Sequence, residues 1–165
     1  MKPGKPADSS KRLELTDVED TRFLHCNIKT LNLLVNVMAA EKAESMGCGE
    51  CVFHRGDVVT ECAHSNVSII KDGIFKTHPT DHYILPGITR MHIIQICKDN
   101  GIPVDETPFT MAELMDADEI IVSSSTKFCS PACEMNGTPI GGKAPELVKL
   151  IQEKYMEKFE NETAN

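Results

Sequence analysis

An α+β fold, one domain of hairpins with helices against it, is what the sequence predicts, and three observations carry that reading. Asp72-Gly73 and Asn136-Gly137 stand between short apolar runs, and such dipeptides close tight hairpins because both turn residues accept a positive φ. Apolar residues recur at helical spacing at Ile88, Met91, Ile94 and Cys97, and again at Leu147, Leu150, Ile151 and Tyr155. Helices and strands interleave along the chain, but hairpins dominate and no internal repeat is present. At 165 residues the chain suits one domain with its own core and is too short for two ordinary ones.

Residues 1–11 carry Lys, Pro and Ser without an apolar segment, so they read as a linker or tail and not as a secretory signal. The domain then runs over 12–160. In 12–18, Leu13, Leu15 and Val18 alternate loosely as in a half-buried strand, and the strand-like run extends to Phe23. Leu31, Leu34, Val35, Met38 and Ala39 predict a helix from about Thr30 to Gly47, a residue that tolerates a left-handed cap. Short strands at 50–54 and 58–62 flank Arg55-Gly56-Asp57, and strands at 66–71 and 74–77 flank Asp72-Gly73, giving an antiparallel meander. A helix over 87–100 starts beside Pro86 and closes on Gly101. Residues 102–107 read as a strand, and Thr110 with Glu113 as a capping box that opens a short helix. A buried strand over 119–124 holds Ile120, Ile121 and Val122. Residues 132–136 and 138–140 form a hairpin about Asn136-Gly137, and 145–159 form a last amphipathic helix.

Composition excludes several function classes. With 41% hydrophobic and 25% charged residues the sequence is that of a soluble globular protein, and no apolar run approaches the roughly 18 residues of a membrane span. A net charge of −8 with scattered basic residues does not suit a nucleic-acid surface, which leaves small molecules or proteins as partners. Seven cysteines, at 26, 48, 51, 62, 97, 129 and 133, are an odd number and read as reduced thiols of a cytoplasmic protein. The sequons at Asn66, Asn136 and Asn161 are then accidental. Cys48 and Cys51 have metal-ligand spacing, but Cys129 and Cys133 do not complete a zinc set and Cys51 falls inside a strand, so no metal is assigned.

Four features bear chemistry. Lys29 lies at the junction of the first strand-like run and the following helix, where a lysine can point into a cleft; buried and partly desolvated, it would lose its proton near neutral pH and act as a nucleophile. Glu61 lies between two strands, and a buried carboxylate there needs a cationic partner or becomes protonated. Leu85-Pro86-Gly87-Ile88-Thr89-Arg90 presents backbone N–H groups at a helix start, where an anion is favoured. Ser123-Ser124-Ser125-Thr126, at the end of a buried strand, adds hydroxyls where sheets leave a crevice. Taken singly, each also fits an ordinary structural role, which residue statistics favour; His64 likewise reads either as a general base or as a solvated loop histidine.

Taken in order, the segments HCNIKTLNLL, GCGECVFHRGDVVTECAHSNVSIIKDGIFKTHP, YILPGITR, IPVDETPFTMAEL and ADEIIVSSST resemble the C-terminal domain of the class IV, fold-type IV pyridoxal-phosphate aminotransferases. The likeness runs from about Val18 to Tyr155 and is greatest to the D-amino-acid aminotransferases; branched-chain aminotransferases and aminodeoxychorismate lyases are similar over the same segments. It implies a mainly antiparallel sheet or pseudo-barrel with flanking helices. Lys29 would be the Schiff-base lysine and the base that moves the Cα proton, and Glu61 the partner of the protonated pyridine nitrogen. Leu85 would pack against the ring, and Gly87, Ile88, Thr89, Ser124 and Ser125 would hold the phosphate, with Ser65 and Asn66 lining the site. The cofactor implied is pyridoxal 5′-phosphate, and the reaction passes an amino group from a D-amino acid such as D-alanine to a 2-oxo acid such as 2-oxoglutarate. Cys62 and His64 depart from the glycine and serine common in the family, which would modulate the site.

The family also has an N-terminal domain, which completes the cofactor site and traps the substrate carboxylate. The sequence therefore reads as the second half of such an enzyme, truncated, split or excised. It would pair with an N-terminal chain or with itself as a homo-oligomer, with exposed apolar surface and weak activity on its own. The other class of reading is a non-catalytic remnant or interaction module.

Overall fold

A computed structural model of the protein describes residues 11–163, so all but the last residue of the expected tail lies outside the described residues. The elements are β1 (Leu13–Glu19), α1 (Leu34–Ser45), β2 (Glu50–Arg55), β3 (Val58–Cys62), β4 (Asn66–Lys71), β5 (Ile74–Thr77) and α2 (Ile88–Asp99). They continue as β6 (Val104–Asp105), α3 (Met111–Asp116), β7 (Glu119–Ser124), β8 (Phe128–Met135), β9 (Thr138–Pro139) and α4 (Pro145–Thr163). One sheet runs β3-β2-β1-β8-β7-β4-β5-β6, with β9 on β8. Both expected tight turns form: Asp72 and Gly73 have φ of 50° and 76°, and Asn136 and Gly137 have 49° and 79°.

The sheet is mixed. β1 lies parallel to both neighbours, β2 and β8, and β6 is parallel to β5, while the remaining pairs are antiparallel. The expected meander divides into two hairpins, β2/β3 and β4/β5, placed far apart in the sheet order. The segment 102–107 contributes only the two residues of β6. β8 begins earlier than hairpin logic predicts, because Pro131 obscures the strand. It sits where β8 changes partner: Phe128 to Pro131 pair with β7 and Ala132 onward pairs with β1, so its missing N–H costs little.

α1 corrects the sequence reading most. It starts at Leu34 rather than near Thr30, with Leu33 at its N-cap and no side-chain cap. Its buried face is Asn36, Ala39 and Ala43, packed towards Cys51, Phe53 and Ala63. Leu31, Leu34 and Met38 instead point outward, 97%, 71% and 65% exposed. The small face packs against the sheet because it allows close approach, and the large apolar residues stay uncovered. α2 and α4 bury Ile93, Cys97, Val148 and Ile151 with Ile121 of β7, and the capping box at Thr110 forms as expected. α4 continues to Thr163, past the expected end.

Candidate active site

The end of β3, the start of β4, the end of β7, the start of α2 and the loop 23–33 converge on one cavity of about 550 Å³. Register explains part of this: β4 and β7 are antiparallel, and Asn66 is paired with Ser123, which brings the first residue of one strand beside the end of the other. All of Lys29, Glu61, Ser65, Asn66, Leu85, Gly87, Ile88, Thr89, Ser124 and Ser125 line this cavity. Residues more than 90 positions apart in sequence are thus gathered at one place.

Glu61 is buried, and three donors converge on it. Oε1 accepts from Arg22 Nη1 at 2.5 Å, and Oε2 accepts from Asn66 Nδ2 and from the Leu85 N–H, each at 3.0 Å. A carboxylate has about four acceptor sites, so one remains for a further donor. Burial pushes the Glu61 carboxyl up, to about 7, with Arg22 and the Leu85 N–H pulling against it.

Arg22, which sequence reasoning passed over, supplies the cation that a buried carboxylate requires. Its Nε and Nη2 donate to the two oxygens of Asp20 at 2.9 Å each, and its guanidinium lies over the Phe53 ring at 4.3 Å. Asp20 also accepts from Thr60 Oγ1 at 3.0 Å and Arg55 Nε at 3.3 Å. Burial would raise the Asp20 carboxyl, but Arg22, with Arg55 behind it, holds it below the usual range. Burial works against the Arg22 charge, yet Asp20 and Glu61 together hold its guanidinium above the ordinary value. The only local signal was an aspartate two residues before an arginine at a strand end.

Lys29 contrasts with this. It lies on the cavity wall but is exposed, in a stretch of turns between β1 and α1 rather than at a helix start. The burial that would make it a nucleophile is absent in this chain alone. Cys26, three residues earlier, is buried on the same wall, where burial raises its thiol above the ordinary value.

The opposite end suits an anion. α2 is 12 residues long, and its N-cap is Gly87 with no side-chain cap, so the first helical N–H groups, from Ile88 on, are open to a ligand. A Cβ on Gly87 would collide with Asn66 Oδ1, and Asn66 cannot swing away without releasing Glu61 and the Leu85 carbonyl, to which its Nδ2 donates at 2.9 Å. Ser123 is buried on the cavity wall, and among the described residues its hydroxyl has no hydrogen-bond partner. Buried hydroxyls are normally paired, so an acceptor or water from the cavity fits there. Arg90, next in the same motif, is turned away: it donates to Thr77 Oγ1, the His78 carbonyl and Glu106.

All seven cysteines are free thiols, and among the described residues no group of three or more His, Cys, Asp or Glu could hold a metal ion. No helix of the described residues is long and apolar enough to cross a membrane.

Residues 2–135 match the family model for amino-transferase class IV, and the chain belongs to that family. Within it, the chain is 48% identical over 136 residues to the D-alanine aminotransferase of Listeria monocytogenes serotype 4b (strain F2365), covering 81% of this chain and 47% of that relative. It is 46% identical over 154 residues to the D-alanine aminotransferase of Staphylococcus haemolyticus, covering 91% and 55%. The chain thus spans about half the length of the curated relatives it matches. In fold it is similar to the branched-chain amino acid aminotransferase from Escherichia coli, with a TM-score of 0.79 and 26% identity over 88% of this chain and 52% of that one. The branched-chain aminotransferase from the archaeon Thermoproteus uzoniensis with norvaline gives 0.77 and 25% over 96% and 56%.

Proposed function

We propose that this chain is the pyridoxal-phosphate-binding half of a cytoplasmic aminotransferase of the D-alanine type, whose substrates are a D-amino acid and a 2-oxo acid. What carries the reading is the convergence of Lys29, Glu61, Gly87 to Thr89 and Ser124 to Ser125 on one cavity, in a chain at 46% to 48% identity to D-alanine aminotransferases. The division of the chain into a tail over 1–11 and a binding domain over 12–160 belongs to the same reading.

Bound there, the cofactor supplies a carbonyl that condenses with amines and a protonated ring that draws electrons from Cα. The chain does the rest. Lys29 Nζ would offer the amine that tethers the cofactor and the base that moves the Cα proton. Glu61 keeps a carboxylate against the ring nitrogen; a cation there opposes the burial that otherwise pushes Glu61 towards protonation. Asn66 and the Leu85 N–H orient that carboxylate, and the Leu85 side chain packs against the ring. The N–H groups of Ile88 and Thr89 and the hydroxyls of Ser124 and Ser125 would hold the phosphate, Gly87 would let it approach the backbone while its own N–H donates to the Leu85 carbonyl at 2.8 Å, and Ser65 borders them. Cys62 and His64 narrow the wall between.

The exposed Lys29 requires a cover to exclude water, supplied by an N-terminal half or by a second copy in a homo-oligomer. The outward apolar residues of α1 and the loop before it are the surface such a cover meets, and contiguous apolar surface of this kind marks an interface. The chain alone therefore binds cofactor weakly and turns over slowly. The test is titration with pyridoxal phosphate. A yellow adduct that borohydride fixes on Lys29, absent in Lys29→Ala, supports the reading, and a colourless wild-type chain refutes it. Turnover of D-alanine with 2-oxoglutarate at an ordinary enzyme rate by this chain alone would refute the need for a cover.

A further inference from the structure

Glu50, at the start of β2, is a buried carboxylate that the function above leaves unused. It is only 3% exposed. Its Oε2 accepts from Ser65 Oγ at 2.9 Å and from Lys127 Nζ at 2.9 Å, and its Oε1 accepts from the Cys51 N–H at 3.2 Å. His64 stands 3.9 Å away, beyond hydrogen-bond reach, so Ser65 and Lys127 are the two arms of the contact.

Those arms belong to different parts of the cavity wall. Ser65 lies in the turn joining β3 to β4. Lys127 lies in the turn joining β7 to β8, where its own N–H donates to Ser124 Oγ at 3.1 Å and its carbonyl accepts from Ser130 Oγ at 2.8 Å. Lys127 is also tied to the Gly49 carbonyl at 2.7 Å. Ser65, Ser124 and Ser125 line the cavity, whereas neither Glu50 nor Lys127 does. The ion pair between Glu50 and Lys127 is therefore set behind the hydroxyls. It joins the two turns, cancels its own charge and, with the Ser65 proton spent on Glu50, leaves the Ser124 and Ser125 hydroxyls as the donors facing the ligand.

From this geometry we infer that Glu50 is a positioning residue for the anion end of the site: by tying Ser65 to Lys127 it fixes the turn that presents the Ser124 and Ser125 hydroxyls to a phosphate. The inference rests on the proposed cofactor reading. It concerns only the phosphate grip, so pyridoxal, which lacks the phosphate but can still react with Lys29, serves as the control ligand.

The experiment compares the affinities of the chain for pyridoxal phosphate and pyridoxal, each followed by absorbance. The wild-type chain prefers the phosphorylated form. Glu50→Ala reduces that preference about tenfold, the equivalent of one charge-assisted hydrogen bond, while pyridoxal affinity stays within about twofold. Glu50→Gln, which still accepts from both arms, retains most of the preference. An unchanged preference in Glu50→Ala overturns the inference, and so does an equal loss for both ligands, which is the signature of a merely structural role. Should Glu50→Ala fail to fold, Lys127→Ala removes the arm that does not line the cavity; a lowered preference with pyridoxal affinity kept supports the inference, and full preference overturns it. A wild-type chain that takes up neither aldehyde overturns the proposed function, and the inference with it; one that takes up both separates the two.

Discussion

Around Glu61, Asp20, Arg22, Arg55 and Asn66 are joined by a dense set of hydrogen bonds and ion pairs, braced against the sheet. Around Lys29, residues 23–33 run through turns, most of them exposed, and α1 presents Leu34, Val37 and Met38 to the outside. One wall of the cavity is over-determined by this chain; the other carries the reactive group but takes little support from it. The difference teaches which part of the chemistry the sheet can build by itself. A fixed carboxylate and an anion cradle need only strand ends in register. A neutral lysine needs desolvation, and that must come from a surface laid over it.

The largest effect that tests this contrast is on stability. Arg22→Ala leaves Asp20 and Glu61 buried without their shared cation, and breaking a buried pair in this way costs about 3–5 kcal/mol. Denaturant unfolding measures it, and Lys29→Ala should change stability by no more than about 0.5 kcal/mol in the same assay. Gly87→Ala comes next: the added Cβ runs into Asn66 Oδ1, and such overpacking costs about 1–3 kcal/mol. Because the strain falls on the partner of Glu61 and the start of α2, weaker uptake of pyridoxal phosphate should accompany the lower stability.

A smaller effect lies in the pH dependence. Glu61 has its folded value raised by burial from 4.5 to about 7, so the folded chain holds that proton more tightly than the unfolded one. Its contribution to stability is complete below pH 4.5 and is lost as pH rises through about 7. Asp20 acts in the opposite sense: held below 3.8 by Arg22, it contributes above that pH and its contribution is lost as pH falls through the folded value. Unfolding at a series of pH values should show a decline between 4.5 and 7 that flattens in Glu61→Gln. The smallest effect belongs to the uncovered wall. Leu34→Ser alters stability within about 0.5 kcal/mol yet reduces self-association measured by light scattering, because Leu34 supports a contact outside the chain rather than its core.

How far the sequence disclosed this structure follows the same division. Asp72-Gly73, Asn136-Gly137 and the Thr110 capping box act through local backbone chemistry, so their turns and helix start were legible. The boundaries of β3, β4 and β5 followed the same turn logic. Residues 128–131 were not legible, because the strand passes Pro131 at a change of partner that only the assembled sheet reveals. α1 was misjudged because an outward apolar face has the same periodicity as an inward one. In the site, Lys29, Glu61, Gly87 and the serines were found by collinear resemblance. Arg22 and Glu50 were not, since each acts through a neighbour whose position depends on tertiary contact.

Lys29 and the wall behind Glu61 are held to serve one cofactor site although the chain buries only the latter. The most direct test is peptide mapping after borohydride reduction of the wild-type chain with limiting pyridoxal phosphate. Label is expected to concentrate on Lys29 and to fall sharply there in Gly87→Ala, where the anion cradle is disturbed. Label spread evenly over exposed lysines such as Lys98 and Lys149, with no enrichment at Lys29, would contradict a shared site.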